Sequence, residues 1–141
     1  MHVFVSHSWS YSSHYSTLAN WVFEEHWNFG QALLEFRNYS IPKDDPIHNF
    51  TIIVMLKNAI YNQIAKSHAI FIPSGMYSSH SRWIGEEIMG AKEYGKPILA
   101  VTPWAQERNS DVVLRNANAR VGWSKQYVVD GIWKLYYERN K

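Results

Sequence analysis

The sequence predicts a single α/β domain over residues 1–141, a five-stranded parallel sheet with helices on both faces. Short apolar runs alternate with segments of helical period, which is the pattern of consecutive βα units. With 141 residues, only short connections remain between those segments, so successive strands should run parallel through right-handed crossovers. One run, Ala69-Ile70-Phe71-Ile72, is apolar at every position, as a central strand covered on both faces must be.

The elements follow in order. His2-Val3-Phe4-Val5-Ser6 reads as a buried strand. Ser10 to Ser13 supply capping side chains for a helix through about Glu25, with Tyr15, Leu18, Ala19 and Val22 on one face. Ala32-Leu33-Leu34-Glu35-Phe36 is the expected second strand, and the polar, proline-containing stretch Asn38 to Pro46 reads as an exposed loop. From about Phe50 to Lys66, Ile53, Leu56, Ile60 and Ile64 recur at helical spacing. The run Ala69 to Ile72 ends at Pro73-Ser74-Gly75. Ser81 to Tyr94 is then helical, with Gly95 placed for a left-handed cap and Pro97 just beyond. Ile98 to Val101 reads as the fourth strand, Ser110 or Asp111 caps a short helix to about Ala119, and Arg120 to Trp123 reads as a fifth strand. Ser124 caps a last helix carrying Val128, Ile132 and Leu135. The expected strand order is the flavodoxin-like 2-1-3-4-5, which puts ligands beyond the carboxyl ends of the strands. Those ends are Ser6-His7-Ser8-Trp9, Arg37-Asn38-Tyr39-Ser40, Pro73-Ser74-Gly75 and Thr102-Pro103-Trp104.

Composition narrows the function. Fourteen Lys/Arg against twelve Asp/Glu leave a net charge of only +2, with no run of basic residues, so neither nucleic acid nor an anionic membrane is expected as a partner. The absence of cysteine excludes disulfides, thiolate catalysis and Cys-based zinc sites, and suits a reducing, cytoplasmic setting. No signal-peptide pattern opens the sequence, and the longest aliphatic run, Ile52 to Leu56, is far too short to span a membrane. No phosphate-loop or dinucleotide glycine motif follows the first strand, and Ser6-His7-Ser8 stands where a receiver domain would need acidic magnesium ligands. The seven histidines show no paired metal spacing, so no metal is expected. His7 is set apart by its place at a strand end in the expected cleft, where packing and functional roles are both open.

Ser78 to Ile88 is the most informative stretch. At ~100° per residue, with Ile84 as zero, Ile88 falls near ~40° and Ala91 near ~−20°, which defines the core stripe. Glu87 falls near ~−60°, beside that stripe, whereas Glu86 and Glu93 fall near ~180–200° and are expected to face solvent. A carboxylate beside an apolar stripe costs free energy unless it caps a buried donor, pairs with a cation or lies at a cleft.

These motifs together resemble Toll/interleukin-1 receptor (TIR) domains. Val3-Phe4-Val5-Ser6-His7-Ser8-Trp9 looks like their opening strand, and Ser81-Arg82-Trp83-Ile84-Gly85-Glu86-Glu87-Ile88 like their Ser-x-Trp-x-x-x-Glu helix. Gly95-Lys96-Pro97-Ile98 looks like their entry to the fourth strand. With Asn38 to Pro42, Asp45-Pro46-Ile47 and Val121-Gly122-Trp123, the likeness is closest to the prokaryotic TIR-like branch of Thoeris anti-phage systems. It spans essentially the whole chain. Asn38 is a departure, standing where many active TIR domains carry an acid.

The resemblance implies a flavodoxin-like TIR fold with NAD as substrate rather than cofactor. It also implies Glu87 as the catalytic residue, with Ser6, His7, Asn38, Ser40 and Trp83 contacting the substrate. One carboxylate suits that chemistry. A glycosidase needs a second, because its alkoxide leaving group must be protonated, whereas nicotinamide leaves ribose as a neutral amide. The resemblance further implies a cyclic ADP-ribose-type product that reaches a separate effector by diffusion, and self-association through TIR surfaces. The competing class is a non-enzymatic TIR module acting by self-association alone. Nucleoside deoxyribosyl transfer, which uses a related fold and one Glu, is a third reading.

Overall fold

A computed structural model describes residues 2–7, 13–23, 27–29, 32–34, 37–38, 50–74, 77–102 and 111–139. Seven strands and five helices occur among them. They are β1 (His2–Val5), α1 (Ser13–Phe23), β2 (Trp27–Phe29), β3 (Ala32–Leu34), β4 (Arg37–Asn38) and α2 (Phe50–Lys66). The chain continues with β5 (Ala69–Pro73), α3 (Tyr77–Glu93), β6 (Ile98–Thr102), α4 (Asp111–Asn116), β7 (Ala119–Gly122) and α5 (Lys125–Arg139).

The main sheet has five strands in the order β4-β1-β5-β6-β7, and every pair is parallel. This is the expected 2-1-3-4-5 order, with β1 and β5 inside. Four of the strands are four or five residues long, and β4 is a two-residue edge.

The expected second strand, Ala32 to Phe36, requires correction. Ala32–Leu34 pairs antiparallel with Trp27–Phe29 in a separate two-stranded sheet, and Arg37–Asn38 takes the edge place beside β1. Only Gly30 and Gln31 separate the two segments of that pair, so local pairing carries a small loop-closure cost. An apolar run alone cannot tell this local partner from a distant one. Ser10, Ser40, Pro46 and Ile47 lie outside the described residues.

The continuous apolar runs reflect a sheet covered on both faces, with successive side chains alternating between them. Val3, Val5, Ala69, Phe71, Leu99 and Val101 pack against Leu18 and Val22 of α1 and Val128, Val129 and Ile132 of α5. Phe4, Ile70, Ile72, Ile98 and Ala100 point the other way, onto Leu56, Ile60 and Ile64 of α2, Ile84, Ile88 and Ala91 of α3, and Val113 of α4.

Helix α3 begins one turn earlier than the spacing predicts and ends as expected. Gly95 adopts a left-handed φ of 64°. The Lys96 N–H donates to the Ala91 carbonyl at 2.8 Å and the Gly95 N–H to the Lys92 carbonyl at 3.3 Å, the paired bonds of a Schellman cap. Helix α4 stops at Asn116, short of the expected Ala119, because the chain turns there into β7. Asn118 fastens that turn. Its N–H donates to the Ile98 carbonyl and its Oδ1 accepts from the Ile98 N–H, both at 2.8 Å. The Ser124 carbonyl accepts from the Val128 N–H at 2.9 Å, which places Ser124 at the amino-terminal cap of α5 as expected.

Candidate active site

The site is built where the carboxyl end of β1 meets the middle of α3. Ser6 shares the alternation of Phe4, so its side chain projects toward the α2/α3 face. Its N–H donates to the Phe71 carbonyl at 2.9 Å, so the backbone beyond β1 remains held by β5. Glu87 lies ten residues into α3, so the first turns of the helix reach about 15 Å beyond it at 1.5 Å per residue.

Glu87 is completely buried. Its Oε1 accepts two hydrogen bonds, from the Ser6 hydroxyl and from the His7 main-chain N–H, each at 3.0 Å. Its Oε2 is buried without a hydrogen-bond partner among the described residues. Burial pushes the carboxyl up to about 8, and the bonds from Ser6 and His7 oppose that rise without overcoming it. The sequence places Glu87 beside the apolar stripe; the structure adds that it caps two donors just past the end of β1 and has no cation paired with it among the described residues.

Trp83 precedes Glu87 by one helical turn and is half-buried. The His7 imidazole meets its ring edge-on, with centroids 6.4 Å apart and planes at 81°. The Arg82 guanidinium lies 5.2 Å from the Trp83 ring centroid, in cation–π range. Ser6, His7, Trp83 and Glu87 are therefore brought together. Asn38 pairs with Val3 through its backbone, which puts β4 beside β1. Ser40 lies outside the described residues.

Two contacts between residues distant in sequence were not legible beforehand. The Ser74 and Thr102 hydroxyls, at the ends of β5 and β6, lie 2.7 Å apart. Glu86, expected in solvent, instead accepts a hydrogen bond from the Tyr61 hydroxyl at 3.1 Å and lies 3.7 Å from Lys57 Nζ, with 22% of its side chain exposed. The helical wheel places Glu86 correctly, opposite the stripe; the wheel does not contain α2, which packs along that flank of α3. Desolvation and the Glu86 carboxylate push the Tyr61 hydroxyl up to about 12.

A five-stranded parallel sheet in this order, with a carboxyl group buried on α3 against the end of β1, fits a flavodoxin-like domain of the TIR-like kind. The sequence matches the family described as Thoeris protein ThsB, TIR-like domain, over residues 4–108, about three quarters of its length, and the chain belongs to that family. No curated protein matches the chain. None of the described helices is long and apolar enough to cross a membrane.

Proposed function

We propose that this anti-phage TIR domain is a cytoplasmic enzyme that cleaves NAD and makes a cyclic ADP-ribose-type signal for a separate effector. The observation that carries the reading is Glu87, a fully buried carboxyl with two donors on one oxygen and none on the other among the described residues. Maintaining such a group costs stability, and a structural cap would need only its bonded oxygen.

In the reaction, the bond between ribose C1′ and the pyridinium nitrogen breaks, and its electron pair neutralises the departing nicotinamide. The positive charge passes to the ribosyl oxocarbenium, where a carboxylate at Oε2 stabilises it electrostatically. Attack by water yields ADP-ribose and a proton, and attack by a hydroxyl of the same molecule yields a cyclic product and a proton; attack by a ring nitrogen of the adenine yields a cyclic product whose alkylated ring keeps the positive charge until the exocyclic amino group gives up a proton. Trp83 offers an aromatic wall for the pyridinium. Membership of the TIR-like family supports self-association as the way the site is completed.

Mass spectrometry of nucleotides in cells expressing the wild type or Glu87→Gln, with and without phage, tests the reading. Product that depends on Glu87 supports it, with a loss on the order of 10²–10³ in rate for the variant. Wild-type turnover by the variant would remove Glu87 from the chemistry and favour a self-association module.

A further inference from the structure

The two carboxylate oxygens of Glu87 have divided tasks. Oε1 is held by the two residues that follow β1, through the Ser6 hydroxyl and the His7 main-chain N–H, each at 3.0 Å. Oε2 is equally buried and has no partner among the described residues. Complete burial with no donor aimed at Oε2 disfavours the anion more than the two bonds to Oε1 favour it, so the resting group is a neutral carboxylic acid with its proton on Oε2.

No cation among the described residues neutralises the group. Just beyond β1, the His7 imidazole faces Trp83. On α3, Arg82 lies over the Trp83 ring. On α2, Lys57 and Tyr61 are engaged with Glu86. Strand β5 carries no titratable side chain.

We propose that Ser6 is a positioning residue that, with the His7 N–H, holds Glu87 through Oε1, and that a cationic pyridinium ligand binds by displacing the Oε2 proton to solvent. The step is balanced: the carboxylic acid and the cation become an ion pair, and one proton leaves to water. It rests on the reading of Glu87 as the group that meets an NAD-type substrate. Burial, which raises the carboxyl to about 8, gives the exchange its pH range. The pyridinium supplies the counter-charge that the fold withholds, so the anion forms where a cation already waits for it.

The probe is carba-NAD⁺, which keeps the cationic ring and cannot be cleaved at the glycosidic position, compared with uncharged-ring NADH. Wild-type affinity for carba-NAD⁺ rises about tenfold per pH unit below the titration of Glu87 and flattens above it, whereas affinity for NADH and binding to Glu87→Gln lack that slope. Infrared difference spectra, wild type minus Glu87→Gln, show the protonated-carboxyl stretch at neutral pH. Ser6→Ala removes a bond that favours the anion, so both the bend in affinity and the infrared midpoint move to higher pH. Its turnover at saturating substrate falls on the order of 10- to 100-fold through misplacement of the carboxyl. Ser6→Cys, with a weak donor of similar size, lies between the two.

An ionised Glu87 at neutral pH in the free protein overturns the inference, as does a carba-NAD⁺ affinity with the same pH dependence in wild type and Glu87→Gln. Cleavage of NAD together with carba-NAD⁺ binding that releases no proton below the titration of Glu87 overturns the inference and leaves the proposed function intact. Proton release on binding of carba-NAD⁺ without any cleavage of NAD supports the inference and overturns the proposed function.

Discussion

Replacing Glu87 with Gln is expected to make the protein relatively more stable as the pH rises. The carboxyl titrates near 8 when folded and at its ordinary value of 4.5 when unfolded. Between those values the folded state binds more protons than the unfolded state, so wild-type stability falls as pH increases through the window. Integrating the two titrations gives a loss of about 3–4 kcal/mol between pH 5 and pH 8 attributable to this group. Glu87→Gln abolishes that dependence, while its amide oxygen still accepts from Ser6 and the His7 N–H. The new amide N–H groups replace a partnerless Oε2, which sets a roughly constant offset of about 1–3 kcal/mol at every pH. The informative quantity is therefore a double difference: urea denaturation of both proteins at pH 5 and pH 8, with the difference at the lower pH subtracted from that at the higher. That subtraction removes the offset and the titrations common to both chains. Parallel stability curves for the two proteins across the window would refute the reasoning, because they would mean Glu87 has the same charge state folded and unfolded.

Two further outcomes test the surroundings of the site. Tyr61→Phe removes the bond to Glu86 across the α2/α3 interface; it should cost about 0.5–1.5 kcal/mol in chemical denaturation, with NAD turnover unchanged. Gly95→Ala forces a Cβ into a backbone with φ of 64°; it should cost about 1–2 kcal/mol, read as a lower midpoint of thermal unfolding with the same products.

Much of this fold is local and was therefore legible. Helix α2 matches its expected bounds because Leu56, Ile60 and Ile64 repeat at the period of the helix they form. The Ala69 run identifies a central strand because burial on both faces leaves no polar position, and Gly95 marks the end of α3 because few other residues tolerate that φ. Position 87 was legible as an anomaly for the same reason: a carboxyl beside an apolar stripe contradicts the pattern around it. Partners distant in sequence were decided by the tertiary structure alone. Whether Ala32–Leu34 joins the main sheet or a local pair depends on competing strands, and its composition suits either. Glu86 leaves solvent only because α2 packs beside it. Ser6 and Glu87 are 81 positions apart, and no spacing rule links a residue at the end of a strand to one in the middle of a helix. Hydrophobic periodicity encodes which face each element buries. Which donor finds which acceptor, and so how high the Glu87 carboxyl is driven, is settled only when the faces meet and water is excluded.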